Sequence, residues 1–292
     1  MSRISRRDFL ARASLAAGAA ALAGPMTAPA RGAAKITSGT QIVALGKSGI
    51  KTSVLGIGTG THGVRRSSNQ VKLGQAGFTK LVRHAVDRGV RYIDTADQYG
   101  SHIFVREALS GVSRDDVFIQ TKTRALHPEV AKADIERFRQ ELGAEVIDSL
   151  LLHCMMKTSW PVDMRPVMDV LAAAKEKGRV RAVGISCHSL DALRASAGCE
   201  WVDVQLVRIN PFGVLMDGPP EEVLKPLEKM HSAGKGVIGM KIFGCGRCVE
   251  PHQRRKSLEF VLRSGCVDAM VIGCQSTRQV DENLDMIEEV LR

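Results

Sequence analysis

From residue 54 onward, short apolar runs alternate with longer stretches in which apolar residues recur every three or four positions, the periods of buried strands and one-sided helices. The runs predict strands over 54–57, 92–94, 117–121, 149–152, 180–184, 202–204, 236–240 and 269–272. The longer stretches predict helices over 78–88, 101–109, 128–142, 162–177, 190–197, 221–232, 251–263 and 277–291. Ahead of them, 41–45 and 50–54 flank Gly46-Lys47-Ser48-Gly49 as a β-hairpin with a glycine turn. Strands too short for a half-exposed sheet, each followed by an amphipathic helix, fit an α/β fold of the closed (β/α)8 TIM-barrel type. An open, doubly wound sheet is the rival. Against it, Gly56-Ile57-Gly58-Thr59-Gly60 has neither the third glycine spacing nor a helix directly behind it. No low-complexity linker divides residues 35–292, so one domain is expected there.

The first 34 residues stand outside this pattern. Arg6-Arg7-Asp8-Phe9-Leu10 precedes an apolar run from Ala13 to Ala23, followed by Ala28-Pro29-Ala30 and Ala33-Ala34. Charged, apolar and small-residue regions in that order read as a signal peptide. The run covers about eleven residues, against the roughly 20 that a spanning helix needs, so no permanent membrane anchor is expected. The paired arginines resemble the twin-arginine signal, whose export machinery carries folded proteins. The expectation is a protein exported to the periplasm and released as residues 35–292.

With 44% apolar and 25% charged residues the chain can bury a large core, which excludes a disordered protein. The leader holds five Arg and one Asp, +4 of the total +10, leaving +6 for the remainder. That balance is compatible with a polyanionic ligand. Nucleic acid is disfavoured, because aromatics are only 4% and no Lys/Arg stripe is interleaved with them. Seven cysteines cannot all pair within one chain. Cys245 and Cys248 have C-x-x-C spacing, yet no second pair or His cluster completes a zinc set, so no metal is expected. The plain reading is a Gly-rich loop, and whether the pair forms a disulfide stays open.

Parallel barrels carry their sites at the C-terminal ends of the strands, so the polar residues that close apolar runs are informative. Strand two closes at Asp94, strand three at Lys122 and strand four at His153, with Tyr99 on the loop after Asp94. Each alone has an ordinary explanation: a helix cap, a solvated amine, a core imidazole, a packed ring. Together they suit carbonyl chemistry, in which a developing alkoxide needs a proton donor and a free phenol with a pKa of about 10 holds its proton too tightly. Lys122 is expected to lower the Tyr99 pKa, Asp94 to hold the ammonium, and a neutral His153 to position the substrate oxygen.

Tyr92-Ile93-Asp94-Thr95-Ala96-Asp97-Gln98-Tyr99-Gly100, Thr121-Lys122-Thr123 and Leu151-Leu152-His153 resemble the three signatures of the aldo/keto reductase family, and the resemblance runs from Leu45 to Asn283. It implies hydride exchange between NADP(H) or NAD(H) and a small-molecule carbonyl, with Asp94, Tyr99, Lys122 and His153 as catalytic tetrad. By the same resemblance Ser186 and Gln205 touch the nicotinamide carboxamide, Met240 and Lys241 stand beside the cofactor, and the loop from Gly244 to Gly246 approaches the pyrophosphate. Gln279, Glu282 and Asn283 are implied adenosine-side contacts, with Arg278 as a phosphate partner.

Several positions depart from the family form. Cys187 stands for a usual Asn, Met240-Lys241 for an aromatic and a Ser, Gly273 for a Lys and Gln279 for an Arg, so NAD and NADP are both open with a lean to NADP. Arg208, before Ile209-Asn210-Pro211, is a candidate anchor for a substrate carboxylate or phosphate. Because free dinucleotide is scarce outside the cytoplasm, an exported member is expected to hold its cofactor tightly. The alternative is a redox sensor or interaction protein that keeps barrel and nucleotide with little turnover. A metal-dependent hydrolase lacks the clustered His and carboxylate ligands it would need.

Overall fold

The computed structural model describes residues Ile36–Arg292, so the export signal read in residues 1–34 lies outside the described part. A short antiparallel ribbon of β1 (Ile42–Ala44) and β2 (Lys51–Ser53) comes first. Eight parallel strands follow: β3 (Leu55–Gly58), β4 (Tyr92–Asp94), β5 (Phe118–Thr123), β6 (Ile147–Met155), β7 (Val180–Cys187), β8 (Val204–Arg208), β9 (Gly236–Met240) and β10 (Ala269–Gly273). They pair in sequence order, and β10 closes on β3. Closure excludes the open-sheet rival.

Alternation along each strand sorts side chains into two apolar layers. Tyr92, Phe118, Leu151, Val204, Leu206, Ile238 and Val271 fill the barrel interior together with Leu45 and Ile50 of the ribbon. The ribbon thereby plugs the N-terminal end, and chemistry is left to the other mouth. Tyr92 fits inside because β3 offers Gly56 opposite it; a Cβ there would lie 2.1 Å from the ring. The outer layer joins Leu55, Ile57, Ile93 and Ile119 to the surrounding helices. Helix Gly74–Asp87 shows why they dock: it buries Phe78, Leu81, Val82, Ala85 and Val86, a single stripe at helical spacing. Among the described residues, no helix is long and apolar enough to cross a membrane.

Strands β4 and β9 and helices Pro128–Leu142 and Thr277–Leu291 have the expected bounds. Strands β5, β6 and β7 run further than their apolar runs, to Thr123, Met155 and Cys187. The polar residues that interrupt those runs face the barrel mouth while backbone pairing continues past them. Strand β8 begins at Val204, where the apolar pattern had placed its end. The helix expected over 162–177 is divided into Trp160–Asp163 and Arg165–Glu176, with Pro166 in the first turn of the second piece, where its missing N–H is harmless.

Candidate active site

A buried polar ladder climbs the inside of β4, β5 and β6. Ser149 donates to Gln120 Oε1 at 3.2 Å, and Gln120 Nε2 donates to the Tyr92 hydroxyl at 2.8 Å and to Asp94 Oδ1 at 2.9 Å. Lys122 Nζ then donates to the same Asp94 oxygen at 2.7 Å and to the Thr95 carbonyl at 2.8 Å. Both members of this ion pair are buried, and hydrogen bonds from the ladder satisfy them, which is the condition under which a buried pair is tolerated. Burial pulls the Lys122 pKa down, and the Asp94 charge opposes that pull.

Tyr99 ends a single 3-10 turn, Asp97–Tyr99, directly after β4. Gly100 reverses the chain with φ 68°, and a Cβ there would meet the Arg66 carbonyl at 2.2 Å. The folded-back ring lies over Gly60 and Gly63, where an added Cβ would come within 2.2 and 2.3 Å of it. Lys122 Nζ stands 4.9 Å from the centre of the Tyr99 ring, and the His153 ring meets Tyr99 edge-on at 5.7 Å. The four expected residues thus converge at one mouth. The turn is held from behind: Arg66 and Arg137 both reach Asp97, at 3.0 and 2.7 Å, and both reach Glu141, which accepts from His102. Asp97, His102 and Glu141 lie close enough to share a metal ion, but these guanidinium groups already occupy their oxygens.

Electrostatics correct one expectation. The Tyr99 pKa lies well above its ordinary value, first because the phenol is buried and then because Asp94, Cys154 and Cys245 disfavour a further negative charge. The Lys122 charge, shared with Asp94, does not outweigh that burial in the resting site. Tyr99 therefore rests as an acid. His153 is held neutral, by burial first and then by Lys122 and other surrounding cations. Its Nδ1 is buried with no hydrogen-bond partner among the described residues. Such an atom is the kind that a bound molecule satisfies.

The cleft that Asp94 and Tyr99 line is also lined by Met240, Lys241, Cys245 and Gly246, by Arg254 of helix Pro251–Leu262, and by Gln279, Glu282 and Asn283 at the start of the last helix. Two cations along its length and amide and carboxylate groups at its far end fit an extended, polyanionic dinucleotide. Met240 would flank the ring end, Lys241 and Arg254 would face phosphate, and Gln279, Glu282 and Asn283 would meet the adenosine. Several of these groups are pre-set. Arg254 bonds Glu282 at 3.1 Å and Asn283 at 2.8 Å and lies over the Phe243 ring, while Gln279 Oε1 accepts from the Gln275 N–H at 2.7 Å.

Other expected contacts are not brought to the cleft. Gln205 lies between the inward-facing Val204 and Leu206, so it points outward; it accepts from Ser196 at 2.6 Å and donates to the Leu206 carbonyl at 2.9 Å. A one-residue offset in a strand exchanges the two faces, and the residue this register turns inward is Leu206. Ser186 accepts from the Cys154 N–H at 2.9 Å and is not part of the cleft lining. Gly244 packs against Val214 and Cys248, and only Gly246 of the two glycines lines the cleft. Arg278 is 87% exposed and pairs with Glu282 at 3.0 Å. Arg208 Nε bonds the buried carboxylate of Asp217 at 2.8 Å, so its charge is already paired within the protein, unlike that of the free anion anchor expected of it. All seven thiols are free, with Cys245 facing the cleft and Cys248 buried.

Three contributors escaped sequence reasoning. Arg254 sits in a run of polar residues on helix Pro251–Leu262 with nothing to mark it out. Gln120 and Ser149 were detectable by parity, since Gln120 lies two residues before Lys122 on the same face of β5.

The family model described as the aldo/keto reductase family matches residues 54–291. The uncharacterized oxidoreductase YtbE of Bacillus subtilis is 32% identical over 133 residues, 41% of this chain and 45% of that protein. Methylglyoxal reductase DkgB of Yersinia pestis is 29% identical over 143 residues, 45% of this chain and 51% of that protein. The chain thus spans about half the length of the curated relatives it matches. The solved holo form of the aldo-keto reductase AKR11C1 from Bacillus halodurans superposes with a TM-score of 0.69 at 16% identity, covering 86% of this chain and 95% of that one, a likeness of fold.

Proposed function

The chain belongs to the aldo/keto reductase family, and we propose that it reduces an aldehyde or ketone to the alcohol, or runs the reverse reaction, with NADP(H) or NAD(H). The observation that carries this reading is the meeting of Tyr99, the Lys122–Asp94 pair and neutral His153 beside a cleft whose lining also includes Lys241, Arg254 and the start of the last helix. The bound nicotinamide would supply or accept the hydride. Tyr99 gives its proton to the carbonyl oxygen as that oxygen gains charge, and the Lys122 ammonium beneath the ring stabilises the phenolate left behind. Asp94, fixed by Gln120, keeps Lys122 charged in a site where burial opposes the charge. His153, being neutral, orients the carbonyl by a hydrogen bond without adding a cation.

Lys241 and Arg254 both line the cleft, while Glu282, the carboxylate at its far end, is already paired with Arg254. That surplus supports NADP(H) over NAD(H). Tight retention of the dinucleotide follows from the export reading, which rests on residues 1–34 alone; mass spectrometry of what the periplasmic protein releases on denaturation tests both. For catalysis the test is Tyr99→Phe. Carbonyl reduction is expected to fall by roughly two to four orders of magnitude while dinucleotide binding, followed by fluorescence quenching, persists. Undiminished turnover by this variant would refute the proton-donor role.

A further inference from the structure

The barrel mouth carries more positive charge than its own carboxylates neutralise. Lys122 is paired with Asp94, and Arg208 with Asp217. Arg124 and Lys241 have no carboxylate within ion-pair distance among the described residues: Arg124 donates to the Gln98 side-chain oxygen at 2.8 Å, and Lys241 to Cys245 Sγ at 3.5 Å. The two imidazoles there do not add to the surplus. His153 is held neutral, and His188 is pushed down to about 4 by burial and then by Arg208, Lys241, Arg124 and Lys122.

The two unpaired cations have separate places. Lys241 lines the dinucleotide cleft, so its charge faces the cofactor phosphates. Arg124 is outside that lining and leaves β5 two residues after Lys122. Its anchor, Gln98, immediately precedes Tyr99. Arg124 is also the leading charge acting on the Cys154 thiol, next to His153. Held by a neutral amide adjacent in sequence to Tyr99, and among the charges that act on His153, this guanidinium has no carboxylate to pair with among the described residues. Two large apolar side chains follow the ends of adjacent strands, Leu126 after β5 at 69% exposure and Met156 directly after β6 at 63%.

We propose that the substrate is an anionic carbonyl compound with an apolar body, an oxo-carboxylate or an aldehyde phosphate, whose anionic group is received by Arg124 and whose body lies on Leu126 and Met156. This rests on the reductase reading and adds the substrate class. Arg208, bound to Asp217, is the structural neighbour of that site; the anchor is Arg124. The dinucleotide phosphates do not satisfy Arg124, because it does not line their cleft.

The test compares 4-carboxybenzaldehyde with its methyl ester, and glyceraldehyde 3-phosphate with glyceraldehyde, in the full chain and in Arg124→Met and Arg124→Lys. The native protein is expected to prefer at least one anionic partner in kcat/KM, and the pair that shows the preference identifies carboxylate or phosphate. Arg124→Met should lower that preference ratio roughly tenfold, the scale of one charge-assisted hydrogen bond, and Arg124→Lys should restore part of it. An equal ratio in native protein and Arg124→Met overturns the inference while leaving carbonyl reduction intact. If neither aldehyde of either pair is reduced, the reductase reading fails. The anion site is then judged by calorimetry with 4-(hydroxymethyl)benzoate and glycerol 3-phosphate: binding lost in Arg124→Met supports it, and binding equal in both proteins, or absent from both, overturns it.

Discussion

The Tyr99 ring occupies the space that a side chain on Gly60 would fill: an ideal Cβ at residue 60 lies 2.2 Å from Tyr99 Cε2. Gly60 is therefore part of the seat of the proposed proton donor, although it has no side chain of its own. Gly60→Ala is expected to push the ring off its position and lower kcat roughly tenfold or more, since small misplacements of reacting groups are expensive in rate. The far-ultraviolet circular dichroism should not change, because the displaced atoms belong to one ring at the mouth. Gly198→Ala, whose added Cβ meets nothing within 4 Å, serves as the control. Full activity in Gly60→Ala would show that the proposed reaction does not depend on a fixed position of the ring.

The convergence of the four residues proposed for catalysis was legible in the sequence because each of them closes or follows an apolar run. Asp94 ends β4, while Lys122 and His153 interrupt β5 and β6 at the mouth, and the barrel's strand order puts those three strands side by side, each residue two positions further along than the partner of the one before. The cofactor contacts were less legible for two physical reasons. Strand parity cannot be read from a polar residue alone: Gln205 looked like a site residue, but Val204 and Leu206 take the interior and Ser196 satisfies its amide from outside. Ion pairing is also invisible in one dimension. Arg278 and Arg208 looked available, yet they are bound to Glu282 and Asp217, while Arg254 enters the cleft from a helix whose sequence is polar throughout its first half.

The network behind Tyr99 makes the fold sensitive to acid at a named carboxylate. Glu141 accepts hydrogen bonds from His102, Arg66 and Arg137, and the first of these, with burial opposing, leads in holding its pKa down to about 2 against an ordinary 4.5. A carboxyl with a depressed folded-state pKa contributes stability that is fully present above its unfolded value and is lost as pH falls through the folded one. The native protein is expected to be more stable than Glu141→Gln at neutral pH, with the gap narrowing from about pH 4.5 toward pH 2. Urea unfolding across that window measures it. A gap that stays constant with pH would mean that Glu141 contributes by packing and not by its charge.

The protonation states of Tyr99 and His153 predict the shape of the rate profile. Burial and the Asp94 charge raise the Tyr99 pKa, so the acid form needed for reduction persists through the neutral range and beyond. Burial and the neighbouring cations lower the His153 pKa, so raising the pH through 6.5 removes no proton from that ring. Neither group titrates in between, and kcat/KM for aldehyde reduction by the dinucleotide-loaded protein should be level from about pH 6 to pH 9, where the unperturbed imidazole value near 6.5 would otherwise place an inflection. The alcohol-oxidation direction should instead rise toward alkaline pH, because the same phenol must then be found deprotonated and its raised pKa makes that form scarce. Stopped-flow hydride-transfer rates in both directions decide the matter. A reduction profile that bends near pH 6.5 in the native protein and is level in His153→Gln would assign a charged imidazole to the working site and reverse the role given to His153.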